Sequence, residues 1–116
     1  MKKILLLLVL ISLTSFKNKE LNTDDIIGEV IWEKNHCDFY IVETKSYFVL
    51  VEWYQGNINN GDKLKGELHS YSFKYLINMS RNNEKIKVYI ENYWSTKKEC
   101  FDWLRKNNKC GFENED

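Results

Sequence analysis

The residues with the most reactive chemistry are the triplet His36-Cys37-Asp38, a second histidine at His69, and two further cysteines, Cys100 and Cys110. Zinc needs three or four such ligands converging at about 2.0–2.3 Å, and known zinc modules carry them at close paired spacings. His36, Cys37, His69 and one C-terminal cysteine do not reproduce such a spacing. Nucleophilic catalysis needs a Ser or Cys beside a positioned base and an orienting acid. No G-x-S-x-G elbow or comparable motif places those groups. Asp62 follows Gly61 and suits a turn cap better than a general base. Acids occur along the whole chain, so no carboxylate pair stands out for glycoside chemistry. The sequence therefore assigns no catalytic residue, no metal ligand and no cofactor.

Aromatic residues are the real surplus, with four Trp, seven Tyr and six Phe in 116 residues. Most of them belong in a core, because each ring buries a large apolar area. Trp32, Trp53, Tyr54, Tyr71, Tyr89 and Tyr93 cannot all point inward in so small a domain. Trp53 and Tyr54 are neighbours on one strand and so face opposite sides. One of them is exposed or covered by another element. The candidate ligand-binding residues are Trp32, Trp53, Tyr54 and Tyr71, with Trp53 or Tyr54 forming an accessible patch with Trp32 or Tyr71.

The chain opens with Met1-Lys2-Lys3 and an apolar run from Ile4 to Leu13 broken only by Ser12, followed by Thr14 and Ser15. That run is too short to span a bilayer and reads as an export signal over residues 1–15, cleaved after Thr14 or Ser15. No cysteine stands at the cleavage region, so no lipid anchor is expected and no stable membrane anchor remains after cleavage. Cleavage takes two lysines and no acid, leaving 15 basic and 17 acidic residues, a net charge of −2. The remaining lysines mostly alternate with acids and form no basic stripe, which argues against a nucleic-acid partner. The expected location is the bacterial periplasm or the medium.

In an oxidising compartment three cysteines read as one disulfide and one leftover thiol. Three pairings are open. Cys100 and Cys110 lie toward opposite ends of an expected helix rising about 1.5 Å per residue, which makes their bridge cramped. Cys37–Cys110 is the preferred pairing, with Cys100 buried as a small hydrophobe.

The elements that must position these residues are mostly strands. Residues 16–25 are polar and read as a mobile mature N-terminus. Residues 26–110 form the domain, and 111–116 are a polar tail. Ile26 to Trp32 is the first strand, with Ile26, Gly28, Val30 and Trp32 sharing one face. Gly28 inside it marks a bend or a close backbone approach. Phe39 to Glu43 is the second strand and Tyr47 to Tyr54 the third, rich in β-branched and aromatic side chains. Gln55 to Asp62 is a loop with two glycines and three asparagines, and Lys63 to His69 is the alternating fourth strand. Ser72 to Met79 reads as a strand, Arg81 to Glu84 as a hairpin turn, and Lys85 to Trp94 as a strand with Ile86, Val88 and Ile90 inward. Thr96-Lys97-Lys98-Glu99 fits a helix-capping box. Cys100, Phe101 and Leu104 then share one helical face, with Trp103 beside them.

Short strands, glycine bends and one helix describe a small, mainly β, five- to six-stranded barrel with a C-terminal α-helix. It resembles the OB fold in three features: Gly28, Val30 and Trp32 in G-x-V-x-W; the FYIVE and YFVLVEW pair; and G-D-x-L-x-G-x-L from Gly61 to Leu68. The whole chain is similar to small exported bacterial proteins of this layout, a resemblance that implies no function. The expected function is an exported, non-catalytic binding module for a protein, peptide or sugar. The alternative is a periplasmic inhibitor or immunity-type protein that blocks a partner enzyme.

Overall fold

The computed structural model describes residues 25–112. The expected signal over 1–15, nearly all of the expected N-terminal segment over 16–25, and residues 113–116 of the tail lie outside them. The elements are β1 (Ile26–Trp32), β2 (Phe39–Glu43), β3 (Phe48–Gln55), β4 (Lys63–Gly66), β5 (Ser72–Asn78), β6 (Glu84–Trp94) and α1 (Lys97–Lys106). The strands close into a barrel in the order β1-β2-β3-β6-β5-β4, and every neighbouring pair is antiparallel. The expected mainly β barrel with a C-terminal helix is what forms, with six strands. Closure pairs β1 with both β2 and β4, while β4 meets β5 only at Ile77 and Asn78, so residues 72–76 of β5 are paired on their β6 side alone.

Two apolar layers share the barrel wall. The lumen is filled by Val30, Val42, Val49, Val51, Leu64, Leu76, Ile86, Val88 and Ile90, with Ile58 and Leu68 plugging it from the loops. On the outside, Phe39, Ile41 and Leu50 meet Cys100 and Leu104 of α1. β2 and the start of β3 are thus apolar on both faces, which is why FYIVE and FVLV read as near-continuous hydrophobic runs. β6 covers the lumen on one face only, and its sequence alternates.

Two local departures from regular alternation matter. In β1 the register slips between Val30, opposite Val42, and Trp32, opposite Ile41. This bulge turns Trp32 off the face it was expected to share with Val30 and sets it, with Ile31, on the helix side. The expected fourth strand ends at Gly66 rather than His69. Gly66 has φ +154°, and a Cβ there would sit 2.5 Å from Leu76 Cδ2. The Leu68 amide then bonds back to the Gly66 carbonyl at 2.9 Å, turning the chain while Leu68 still enters the lumen. Gly28 makes the close approach expected of it, since a Cβ would lie 2.6 Å from Val42 Cγ1.

At the start of α1, the Thr96 hydroxyl accepts from the Glu99 amide at 3.4 Å. The same hydroxyl donates to the Glu99 carboxylate at 2.8 Å, so Glu99 answers the cap through its side chain. After the helix, Asn108 and Cys110 adopt left-handed backbone and carry Cys110 back to the β1–β2 loop. There it forms the expected disulfide with Cys37, the two Cα atoms lying 5.0 Å apart. Cys100 stays a free thiol, fully buried. Burial, helped by the Glu99 charge, pushes its pKa up to about 12, which starves it of reactive thiolate. Native protein should therefore resist iodoacetamide at pH 8 and take up one label per chain once unfolded without reductant. Rapid labelling of the native state would contradict this packing.

Candidate functional site

The outward residues of β3, β6 and β5 build one surface. Register places Glu52 of β3 opposite Tyr89 of β6, and Tyr89 opposite Phe73 of β5. Tyr75 lies opposite Lys87 one step along. Tyr54, two residues on from Glu52, takes the same outward face by alternation. Phe73 is the centre: Tyr54 meets it edge-on at 4.9 Å between centroids and 76°, and Tyr89 does so at 4.9 Å and 82°. Tyr54, Phe73 and Tyr75 are 46%, 47% and 59% exposed, an unusual amount of ring for the middle of a sheet.

Charge is split across this surface. Lys87 Nζ sits 5.0 Å above the Phe73 ring, and Lys85 Nζ sits 4.9 Å above Tyr75. On the other flank are Glu52 and Glu91. Partial desolvation, then the charges of Glu52 and Glu91, hold the Tyr54 phenol above its ordinary pKa. Burial first, and then the Glu52 charge, push the Glu91 carboxyl up.

The two mouths of the barrel carry the other aromatics. Trp53 lies opposite Val88 beyond the last lumen residue of β3 and lines an open cleft of about 360 Å³ with Tyr40, Ile58, Glu33, His36 and Asp38. Its indole N–H donates to the Gly56 carbonyl at 2.6 Å. At the opposite mouth Tyr71 stacks on Tyr93 at 5.2 Å and 22°. Tyr47 packs edge-on against both Tyr93 and His69. His69 Nε2 lies 2.8 Å from the Thr44 hydroxyl, and burial holds its pKa below the ordinary value.

The four candidate ligand-binding residues thus go to four places. Trp32 is half-buried under α1, edge-on to Phe101 at 5.3 Å. Trp53 lines one mouth, Tyr71 the other, and Tyr54 the outer face. No ring contact joins these four among the described residues. Phe73, Tyr75 and Tyr89 complete the exposed patch, and sequence reasoning did not single out the first two. Their signal is the alternation Phe73-x-Tyr75 in SFKYLIN, which puts two rings on one strand face.

The reactive triplet lines the Trp53 cleft, away from His69. Cys37 spends its sulfur on the disulfide, His36 stands at the loop tip with φ +62°, and His69 lies at the far mouth. Among the described residues no group of three or more His, Cys, Asp or Glu is placed to hold a metal ion. Comparison with protein-family models, curated proteins and solved structures returned no match.

Proposed function

We propose that this chain is an exported, non-catalytic binding module that takes a protein partner on the outer face of β3, β6 and β5. The observation that carries the reading is the exposure of Tyr54, Phe73 and Tyr75 on neighbouring strands, with β6 paired on both sides between β3 and β5. Rings held by strand packing lose little further entropy on binding, and aromatic anchors dominate protein interfaces. Their edge-to-face packing makes a ridge, whereas a sugar stacks on an open flat ring face; Lys87 also covers the face of Phe73. The lysines beside Phe73 and Tyr75 select a partner with carboxylates around an apolar centre.

Export rests on Lys2, Lys3 and the Ile4–Leu13 run. The Cys37–Cys110 disulfide is compatible with an oxidising location. No helix among the described residues is long and apolar enough to cross a membrane.

The test compares immobilised wild type with the Phe73→Ser/Tyr75→Ser double variant in periplasmic extract and culture medium. Wild type should retain a stoichiometric partner that the double variant loses by at least about tenfold. The double variant's own unfolding free energy should fall by no more than about 1 kcal/mol, because both rings are half exposed. Lys85→Glu/Lys87→Glu should weaken capture as well. Equal retention by wild type and double variant overturns the reading. An enzymatic activity in the partner that wild type suppresses and the double variant spares would mark the inhibitor or immunity-type alternative.

A further inference from the structure

The mouth beside Trp53 is a built cleft on a different part of the barrel from the partner face. Its rim is tied on several sides. The Cys37–Cys110 disulfide anchors the β1–β2 loop. Lys34 Nζ donates to the Cys110 carbonyl at 2.7 Å. The Glu33 carboxylate accepts from the Asn60 amide, and the Asn57 amide donates to Glu84 Oε1 at 3.3 Å. These ties decide which groups remain for a ligand. Lys34 also lines the cleft, but its ammonium is held on the Cys110 carbonyl and 5.0 Å over the Phe112 ring; it keeps its charge, so Glu33 and Asp38 exceed it by one. The Trp53 N–H is spent on Gly56, so the indole offers its ring rather than a donor. Asp38 is exposed and has no ion-pair partner among the described residues. Glu33 keeps its second oxygen, and both carboxylates act electrostatically on the half-buried Tyr40 phenol between them and the lumen.

An aromatic ring beside two carboxylates and one ammonium that is already hydrogen-bonded has a net negative charge around a π face. Such a place repels anions and attracts cations, and the two attractions act on the same ligand group. About 360 Å³ is enough for one side-chain-sized group. We infer that this cleft binds an alkylammonium or guanidinium group against the Trp53 ring, with Asp38 and Glu33 as its counter-ions. The group belongs either to a free amine or to a Lys or Arg side chain of a polypeptide.

The experiment is an NMR titration of ¹⁵N-labelled, disulfide-intact protein. The probes are choline, Nα-acetyl-lysine amide, Nα-acetyl-arginine amide and the uncharged citrulline counterpart of the last. The Trp53 indole resonance, identified with Trp53→Phe, and the amides of His36 to Asp38 should shift saturably with the cations and not with the citrulline compound. Asp38→Asn should weaken the apparent affinity about fivefold, and raised salt should weaken it too. Tighter binding of the amino-acid amides than of choline assigns the group to a polypeptide side chain; the reverse assigns it to a free amine. Equal shifts from citrulline and arginine compounds, or no saturable shift with any cation, overturn the inference. The overturning outcomes are read on the wild-type amides of His36 to Asp38, so a misfolded variant leaves the test intact.

Discussion

Replacing Cys37 and Cys110 with serine should lower the unfolding free energy by on the order of 4 kcal/mol. The bridge joins positions 73 residues apart, so it closes most of the described domain into one loop. In the chain-entropy view that loop removes a large part of the freedom of the unfolded chain, and the benefit grows with loop length. The bridge also holds the chain that leaves α1 against the β1–β2 loop, where Lys34 bonds to the Cys110 carbonyl and Phe112 packs on Trp32 and Phe101. A barrel this small has a net stability of only several kcal/mol, so the double serine variant should unfold at far lower urea concentration. Reduced wild type should match it. A midpoint within error of the oxidised protein would show that the helix is held by its apolar face alone.

Asp62→Ala should be the most damaging single polar substitution, at roughly 3 kcal/mol. The Asp62 carboxylate is almost fully buried, and its Oδ2 accepts from the Asn59 amide at 3.0 Å, Asn78 Nδ2 at 2.9 Å and Arg81 Nε at 3.0 Å. One side chain thereby ties the β3–β4 loop to the end of β5 and to the β5–β6 hairpin. Alanine would leave the fully buried Asn78 with one amide hydrogen still bonded, to the Asn57 carbonyl, and the other orphaned. Asp62→Asn should cost less, since one carbonyl oxygen can still accept all three bonds and only the charge opposite Arg81 is lost.

Burial works to raise the Asp62 pKa, but the bonds from Asn78, Arg81 and Asn59 outweigh it and hold the carboxyl below its ordinary value. A carboxyl whose folded pKa is depressed contributes stability that is full above its unfolded pKa and is lost as pH falls through the folded one. Wild type should therefore lose stability steeply below about pH 4, and Asp62→Asn should flatten that limb. Parallel acid limbs in urea unfolding would remove Asp62 from the account.

Much of this architecture is written in short stretches of chain. The alternation of Ile86, Val88 and Ile90 orients β6 because side chains of a strand face opposite sides at successive positions, whatever the partner strand. Asn82 and Asn83 tolerate the left-handed backbone of their hairpin, and Thr96 with Glu99 starts the helix, each through bonds spanning only a few residues. The expected helix counted only against joining Cys100 to Cys110 and left Cys37–Cys110 a preference; the fold decided that Cys110 and not Cys100 reaches Cys37. The tertiary structure alone also decided where the aromatics go. Whether Trp32 follows Val30 into the lumen depends on a bulge set by its pairing with β2, and position 66 must be glycine because Leu76 of β5 fills the space a Cβ would need. The Tyr54, Phe73 and Tyr89 cluster joins three strands, and the Trp53 cleft joins the β1–β2 and β3–β4 loops across the disulfide. Periodicity tells each ring which side of its own strand it takes. Only barrel closure and strand register decide which rings from distant strands then become neighbours.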